Sequence, residues 1–416
     1  MSLSREQADR LGILIGRAFS PATPIDERAL FAGRTEQLRA VIDAINRRGQ
    51  HAIIFGERGV GKTSLANVLA SFLEEVQTGV SIISPRVNCD AGDDFASLWR
   101  KVFKRITEIE SIRQAGFTGE ITKRWRPMAE RLEKNVRPDD VADLLTFAGA
   151  QAMVIVIIDE LDRLSRNGLT GQLADTIKML SDYSIPATLV LVGVADSVDD
   201  LIKEHHSIER ALVQVRTPRM SRAELFEIID RGLRMVEITI GSDAQDFICD
   251  LSQGLPHYTH LLALHSGREA IDRLSTNIGL DDVKRAIEKA VTGVQETIEN
   301  AYHTATISQR RGTLFPQVLL ACALANTDSM GTFAPGDVKR PMSELMKRPY
   351  DTPAFQRHLH SFCERDRGPV LHRIGGPHRY RFRFVNPLMQ PYVIMRGLSE
   401  GLIDVAVVEA ISSRRT

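Results

Sequence analysis

Several features are scarce in this sequence, and each scarcity excludes a class of protein. The 416 residues include four cysteines, and no two of them have the paired spacing of a zinc site or a disulfide framework. They are Cys89, Cys249, Cys322 and Cys363. No apolar run approaches the roughly 20 residues that cross a bilayer. The N-terminus has no basic segment followed by a hydrophobic stretch, so we expect a cytoplasmic protein without a membrane partner.

An excess of charge of one sign is also absent from the chain as a whole. Lys and Arg number 53 and Asp and Glu number 53, but their distribution is uneven. Residues 301–416 hold 16 basic against 9 acidic residues, and the rest of the chain holds 37 against 44. This imbalance predicts an anionic partner for the C-terminal part, although the zero net charge argues against strong steering of the whole chain towards nucleic acid.

Apolar, strand-like runs alternate with amphipathic segments in the first half of the sequence. Four runs have the composition of buried strands: residues 52–55, 80–87, 154–158 and 188–194. Pro85 indicates that the second run lies at the edge of a sheet. The alternation predicts a parallel sheet covered by helices on both faces, which is a three-layer α/β fold. Residues 111–138 lengthen one connection, and we expect extra surface helices there.

The sequence pattern changes twice after this region. A capping-box pattern, Ser221-Arg222-Ala223-Glu224, begins a helical stretch with little strand signal that runs to about Thr306. After Gly312, an apolar helical run is followed by alternating residues around a Gly-Gly-Pro turn. We therefore predict three domains, at residues 1–220, 221–306 and 307–416: a base with the parallel sheet, an all-helical domain, and a small third domain.

The strongest motif lies between the first strand and the following helix. The segment from Gly56 to Thr63, with the sequence GERGVGKT, matches the P-loop pattern, whose backbone N–H groups wrap phosphates at the positive end of a helix. Lys62 is expected to reach the β- and γ-phosphates, and the Thr63 hydroxyl to bind Mg²⁺. A plain glycine turn is the alternative. The predicted nucleotide contacts are Gly56, Gly59, Val60, Gly61, Lys62, Thr63 and Ser64.

Two acidic residues follow the run at 154–158. A sheet strand that ends in an acid is the natural partner of a P-loop. We predict that Asp159 holds Mg²⁺, directly or through water, and that Glu160 orients and deprotonates the attacking water. An isolated strand that ends in Asp-Glu is usually a solvated strand end, but the P-loop makes the functional interpretation the stronger one.

Together these segments resemble the AAA+ ATPases, and within them the clade of archaeal and eukaryotic origin-recognition and initiator proteins with related bacterial ATPases. The segment Phe31–Gln37 resembles the box before the first strand, and Arg86–Cys89 resembles the end of the second strand. The resemblance extends by motifs from residue 25 to residue 300. It implies an ATP- and Mg²⁺-dependent AAA+ base, a helical lid, and a C-terminal domain that looks like a winged helix.

The resemblance also implies roles for three more residues. Asp196 falls at sensor 1, where the family often has Asn, and capping of the next helix is the alternative. Arg210 falls in the arginine-finger segment, so hydrolysis would depend on self-association, whereas a surface ion pair is the alternative. His257 falls at sensor 2, which is usually Arg. It would contact the nucleotide or pack within the lid, leaving that role to another residue such as Arg268.

The C-terminal part carries a strictly alternating segment from Arg379 to Phe384. In a strand, Tyr380, Phe382 and Phe384 would face the core and the arginines the other side. A helix over residues 354–363 is a candidate recognition helix for a DNA groove. The predicted DNA contacts are Arg357, Arg373, Arg379, Arg381 and Arg383. A solvated face or a protein-docking surface is the alternative, since winged helices also bind proteins.

The leading interpretation is an AAA+ ATPase that hydrolyses ATP slowly to ADP and uses it as a switch for DNA binding and assembly on duplex DNA. A second interpretation is a signalling protein resembling the STAND ATPases, whose C-terminal domain locks the nucleotide site until a partner releases it. A third is an accessory ATPase of transposition, helicase loading or phage defence that acts mainly through an unidentified protein partner.

Overall fold

The computed structural model describes residues 3–21, 31–75, 81–113, 121–164, 169–194, 208–293, 295–307, 313–376 and 379–412. At its centre is a parallel sheet of six strands: β1 His51–Phe55, β2 Ile82–Ile83, β3 Arg86–Asn88, β6 Met153–Asp159, β7 Ala187–Gly193 and β8 Leu212–Arg216. The order is β2-β6-β7-β1-β8, and β3 also pairs with β6. The strand that carries the acids, β6, therefore lies one strand away from β1, which leads into the P-loop.

Alternate residues of the central strands face two different cores. Ile53 of β1 and Val156 of β6 belong to one core, whereas Ile54 and Ile155 belong to the other. Helices Phe95–Lys104, Pro138–Gly149 and Leu169–Asp182 supply residues to the first core. Helices Thr35–Ile45 and Lys62–Glu75 cover the other face. The predicted three-layer α/β fold is confirmed.

The connection after the edge strands differs from the expectation. Strands β4 Thr107–Arg113 and β5 Ile121–Pro127 form an antiparallel hairpin with Thr107 opposite Pro127. The surface helices expected over residues 111–138 are therefore wrong for the part that forms β4 and β5. Strand β5 contains Ile, Thr and Trp, which favour strands over helices.

The following region is almost entirely helical. Its helices are Arg222–Met235, Ser242–Ser252, Pro256–Asp272, Leu280–Thr292 and Glu296–Thr306, with the short parallel strands β9 Thr239–Ile240 and β10 Asn277–Ile278 between them. The Ser221 hydroxyl accepts from the backbone N–H of Glu224, and the Glu224 carboxylate accepts from the backbone N–H of Ser221 at 2.8 Å. The N-terminal helix Arg5–Ala18 packs on Pro256–Asp272.

The C-terminal residues form helices around a small antiparallel sheet. The helices are Phe315–Leu324, Lys339–Met346, Thr352–Ser361, Met389–Ser399 and Val405–Ser412, and the strands are β11 Leu371–Ile374 and β12 Arg381–Phe384. Phe333 bridges to Phe382 as a short third strand. These residues share one hydrophobic core with the preceding helical region, and the rings of Tyr302 and Tyr392 meet across it at 5.7 Å.

The position of the C-terminal helices follows from this shared core. Because the helices after residue 313 are buried against residues 222–306, their location relative to the P-loop is fixed by packing and not by a linker. Within the described residues, no helix is both long and apolar enough to span a bilayer. The predicted domain boundaries at residues 220 and 306 stay a prediction.

Candidate functional site

The P-loop connects β1 directly to the helix Lys62–Glu75. Gly59 and Gly61 have φ angles of +81° and +93°, which only glycine adopts without strain. A Cβ atom at Gly59 would also lie 2.9 Å from Cδ2 of Leu388, a residue of the C-terminal region. The loop is therefore held in a phosphate-cradle geometry and is touched by a residue more than three hundred positions away.

Lys62 is folded back onto its own loop. Its Nζ donates to the carbonyl oxygens of Gly56 at 3.0 Å and Glu57 at 2.7 Å. Burial lowers the pKa of Lys62 to about 8, although Asp162 and Asp159 oppose the shift. A phosphate in the loop would replace two neutral acceptors by charged oxygens and so favour the protonated amine.

The two acids at the end of β6 lie at the same pocket. Asp159 is buried; its Oδ1 accepts from the backbone N–H of Glu160 at 2.8 Å, and its Oδ2 accepts from Nη2 of Arg86 at 2.9 Å. Glu160 has a left-handed φ of +60° and pairs with Arg163 at 2.8 Å. Each acid is therefore paired with an arginine.

The residues present fit a Mg²⁺ ion bound together with phosphates. Thr63 and Asp159 line one pocket and supply the hydroxyl and carboxylate oxygens that Mg²⁺ prefers. Among the described residues, no group of three or more His, Cys, Asp or Glu gathers as a metal site. Magnesium would then need phosphate oxygens and water to complete its ligands, which is the usual arrangement beside a nucleotide.

The pocket that contains these residues has a volume of about 550 Å³, which suits a nucleotide. Its phosphate end is formed by the P-loop and the acids. Its other end is formed by residues before and inside the helical region: Ser20, Pro21, Phe31, Ala32, Arg34, Met220, Ile228, Pro256, His257 and His260. Leu388 completes the wall.

Two buried polar residues at that second end were missed by sequence reasoning. Arg34 is 2% exposed, and its Nη2 donates to the carbonyl oxygens of Val60 at 3.1 Å and Pro218 at 2.5 Å. Its Nε and Nη1, and both ring nitrogens of His260, have no hydrogen-bond partner. Burial lowers the pKa of Arg34, and it lowers the pKa of His260 to about 4. Buried polar groups of this kind call for a ligand or water.

A weak sequence signal existed for both residues. Arg34 lies inside the box Phe31–Gln37, which we used for the family resemblance and not for a contact. His260 follows His257 by three positions, and residues at that spacing lie on the same side of a helix. Neither signal indicates burial, which depends on tertiary packing.

The lid histidine lies in the pocket wall. Nδ1 of His257 is 2.8 Å from the carbonyl oxygen of Pro21, to which it donates in the matching tautomer. Burial lowers the pKa of His257, so the ring is neutral near pH 7. Arg268 is exposed, lies beside Gly16 and is not part of the pocket lining.

The two remaining predicted catalytic residues lie apart from this pocket. Asp196 lies outside the described residues. Arg210 is exposed in a turn that begins at the buried Ile208, and it does not line the pocket. Its predicted role concerns a neighbouring subunit, which a single chain leaves untested.

The arginines predicted to contact DNA differ in their surroundings. Arg357 and Arg379 are exposed, whereas Arg373 stacks over the Tyr380 ring at 4.8 Å. Arg381 donates to Oγ1 and the carbonyl of Thr332 at 2.6 and 2.8 Å, and it also pairs with Asp328. Arg381 is therefore largely occupied inside the C-terminal region.

Arg383, the fifth of these arginines, is half-buried and lies on the same face of β12 as Arg381. The buried partners on the other face are Phe382 and Phe384, as the alternation predicts.

A buried cluster joins the P-loop to the C-terminal region, and we call Glu57, Arg219, Gln253 and Gln390 the Arg219 junction. Arg219 donates to the Glu57 carboxylate at 2.6 Å, to the Gln390 side-chain oxygen at 2.7 Å and to the Gln253 carbonyl at 3.3 Å. The side chains of Arg219 and Glu57 are 8% and 6% exposed. Close by, the Tyr258 hydroxyl donates to the carbonyl of Leu388 at 2.6 Å.

Comparisons with known proteins agree with this architecture. Residues 45–202 match the family described as AAA domain. A curated relative is the Holliday junction branch migration complex subunit RuvB of Christiangramia forsetii, 26% identical over 321 residues that cover 71% of this chain and 88% of the relative. Another is the ORC1-type DNA replication protein 2 of Thermoplasma acidophilum, 25% identical over 194 residues that cover 45% of this chain and 42% of the relative.

Two solved structures have similar folds. The ORC2 protein of Aeropyrum pernix, in its ADPNP–ADP complexes, has a TM-score of 0.50 at 14% identity and covers 95% of this chain and 98% of its own. The Walker-type ATPase PABY2304 of Pyrococcus abyssi has a TM-score of 0.51 at 15% identity and covers 89% and 98%. The chain therefore belongs to the AAA+ ATPases, and its fold is the one found in the initiator-like members of that family.

Proposed function

We propose that this protein binds and hydrolyses Mg²⁺-ATP and uses the bound nucleotide as a slow switch for binding to, and assembly on, duplex DNA. One observation carries the proposal: Leu388 and the Arg219 junction join the P-loop to the C-terminal region. A change at the phosphate end of the pocket therefore has a short path of contacts to the basic C-terminal helices.

The phosphate end supplies the groups that hydrolysis needs. Lys62 leaves the carbonyls of Gly56 and Glu57 and donates to the β- and γ-phosphates. Thr63 and Asp159 hold the metal, which neutralises charge on the phosphates when bound. Glu160 turns from Arg163 towards the attacking water and accepts its proton.

The opposite end of the pocket binds the nucleoside. Arg34 has two unpartnered nitrogens and only donates, so it suits a base nitrogen or a ribose oxygen. His260 is neutral near pH 7, so one ring nitrogen donates and the other accepts, as a base edge requires. Binding a nucleoside here satisfies groups whose burial otherwise costs about 1–3 kcal/mol each.

Hydrolysis would require a second copy of the chain. Arg210 is exposed and lies outside its own pocket, which suits a residue that reaches a neighbour's γ-phosphate. An arginine delivered in this way raises the rate by about 10³–10⁵. Self-association through Arg210 therefore links turnover to assembly.

Duplex DNA is the proposed anionic partner of the C-terminal region, which has a winged-helix arrangement in this interpretation. The curated relatives named above are a Holliday junction subunit and a DNA replication protein. The excess of basic residues after position 301 favours an anionic partner. Arg357, Arg373, Arg379 and Arg383 are the better candidates for contacts, because Arg381 bonds to Thr332.

The test is the affinity for random duplex DNA with an ATP analogue, with ADP and without nucleotide. The affinity of the wild type should differ between the ATP analogue and ADP. The Lys62→Ala variant, in which the phosphates lose their cation, should bind DNA with one affinity in all three conditions. An identical DNA affinity of the wild type in all three conditions would contradict the proposal.

The STAND-like interpretation is the second candidate, and the contact of Leu388 with Gly59 favours it too, because that contact places a C-terminal residue on the P-loop. Here the C-terminal region would hold the nucleotide site closed until a protein or ligand releases it. Nucleotide-dependent movement of the C-terminal region without any salt-dependent DNA binding would favour this function over the first.

A further inference from the structure

A second polar cleft lies at the edge of the sheet, next to the acid that is proposed to hold magnesium. Its volume is about 590 Å³, and it is lined by Arg86, Val87, Asn88, Lys101, Lys104 and Arg105. Four of these six residues are basic and none is acidic. The guanidinium of Arg86 belongs both to this cleft and to the ion pair with Asp159.

The fold explains why the basic residues gather there. Strand β3 pairs with β6, and Asn88 of β3 lies beside Asp159 of β6 in the parallel register. The helix Phe95–Lys104 begins at the Asp94 cap and buries Trp99 and Phe103 against the sheet. Its last turn then presents cations beside β3, where the negative end of the helix dipole favours them.

The cations of the cleft differ in how well they are neutralised. Lys101 pairs with Asp90 at 2.5 Å and with Asp93 at 2.6 Å. Lys104 and Arg105 are exposed and have no carboxylate partner among the residues that the structure describes. The outer part of the cleft therefore carries two uncompensated positive charges.

Arg86 has unused capacity for a second anion. Its Nη2 donates to Asp159, but its Nε is buried without a hydrogen-bond partner. A guanidinium has five donors in one plane and binds phosphate oxygens in pairs. The ion pair holds Oδ2 of Asp159 at 2.9 Å, so Arg86 and a magnesium ion compete for that oxygen.

We propose that this cleft binds backbone phosphates of a nucleic-acid strand, and that Arg86 turns towards the phosphate and so frees Asp159 for magnesium. The six lining residues include no aromatic ring on which a base could stack, so the strand binds by its phosphates. Occupation of the cleft would then strengthen Mg²⁺ binding at the nucleotide. The coupling rests on the proposed magnesium site, whereas the phosphate contact does not.

The phosphate contact is tested with a short fluorescein-labelled oligothymidylate over a series of salt concentrations. For the double variant Lys104→Ala/Arg105→Ala, the slope of log affinity against log salt should become shallower by about two, one for each cation removed. Arg100→Ala is the matched control, because Arg100 lies on the same helix but bonds to the carbonyls of Glu133 and Lys134. The control should keep the wild-type slope; an unchanged slope in the double variant would overturn the proposal.

The role of Arg86 is tested by titrating Mg²⁺ into protein that holds a fluorescent adenine nucleotide, with and without the oligothymidylate. In the wild type the oligonucleotide should lower the Mg²⁺ concentration needed for half of the signal change. In Arg86→Met this effect should be lost, because Asp159 is already free. An Mg²⁺ midpoint in the wild type that ignores the oligonucleotide would contradict the coupling.

Two further outcomes distinguish a strand-binding cleft from a free-anion site and from DNA binding at the C-terminal region. If inorganic phosphate reproduces the whole shift in the Mg²⁺ midpoint, the cleft is a site for a free anion and the nucleic-acid proposal is overturned. If the cleft variants bind oligothymidylate like the wild type while Arg379→Ala weakens binding to duplex DNA, the cleft proposal fails and the proposed function stands.

Discussion

The two ends of the nucleotide pocket differ in how their polar groups are satisfied. At the phosphate end, Lys62 bonds to loop carbonyls, Asp159 to Arg86 and Glu160 to Arg163. At the nucleoside end, Arg34 and His260 keep nitrogens without partners. The phosphate end must therefore exchange partners when nucleotide binds, whereas the nucleoside end gains partners. The first suits a switch, and the second suits tight binding.

The largest expected effect concerns the part of the phosphate end that another copy supplies. Arg210→Ala should lower the rate of ATP hydrolysis by about 10³–10⁵, because charge on the transferring phosphate loses its partner. The mixed assembly is the control. Arg210→Ala protein offers intact acids, so adding Glu160→Gln protein, which keeps Arg210, should restore part of the rate. No recovery in the mixture would show that Arg210 acts within its own chain or not at all.

The next effect concerns the link between the phosphate end and the C-terminal region. Arg219→Met should lower the free energy of unfolding by about 3–5 kcal/mol, because it leaves the Glu57 carboxylate buried and unpaired. Chemical denaturation measures this change. Adding Glu57→Gln to Arg219→Met should recover part of the loss. An Arg219→Met protein as stable as the wild type would mean that the buried pair is not formed in solution.

The protonation of Lys62 gives a pH dependence that the nucleoside end lacks. Because burial lowers the pKa of Lys62 to about 8 in the free protein, ATP binding above that pH must return a proton to the amine. The affinity for ATP should therefore be flat below pH 8 and fall by about tenfold per pH unit above it. Lys62→Arg, which stays charged, should flatten this dependence in a fluorescence titration; the same slope in both proteins would exclude Lys62 as its source.

The smallest effects are expected at the nucleoside end. His260→Leu removes a buried polar ring without partners, so the free protein should become more stable by about 1–2 kcal/mol. The same variant should bind ATP about tenfold more weakly, since one hydrogen bond to the nucleoside is lost. His265→Leu on the same helix is the control, because His265 does not line the pocket. Unchanged ATP affinity in His260→Leu would remove this residue from the site.

The contrast between the two ends also shows how far the sequence could be interpreted. The phosphate end lies in two contiguous segments, at Gly56–Thr63 and at the end of β6, so spacing alone indicates its chemistry. The buried strands β1, β6 and β7 were predictable for the same reason, since each is a continuous apolar run. Pro85 correctly marked the edge of the sheet, where it separates β2 from β3.

The parts that sequence reasoning missed depend on distant contacts. Arg34 is polar by type, and only packing against Val60 and Pro218 makes it a buried group that faces the pocket. The Arg219 junction joins residues 57, 219, 253 and 390, which no local pattern connects. The hairpin of β4 and β5 was mistaken for helices because charged residues interrupt its alternation.

The most direct test of nucleotide control is hydrogen–deuterium exchange of the helix Met389–Ser399, which follows Leu388 and contains Gln390. Exchange is compared for the free protein and for protein saturated with Mg²⁺ and a non-hydrolysable ATP analogue. We expect a change in the protection of this helix in the wild type and no change in Lys62→Ala. Full occupancy of the wild-type pocket with unchanged protection of the helix would contradict the claim that the nucleotide controls the C-terminal region.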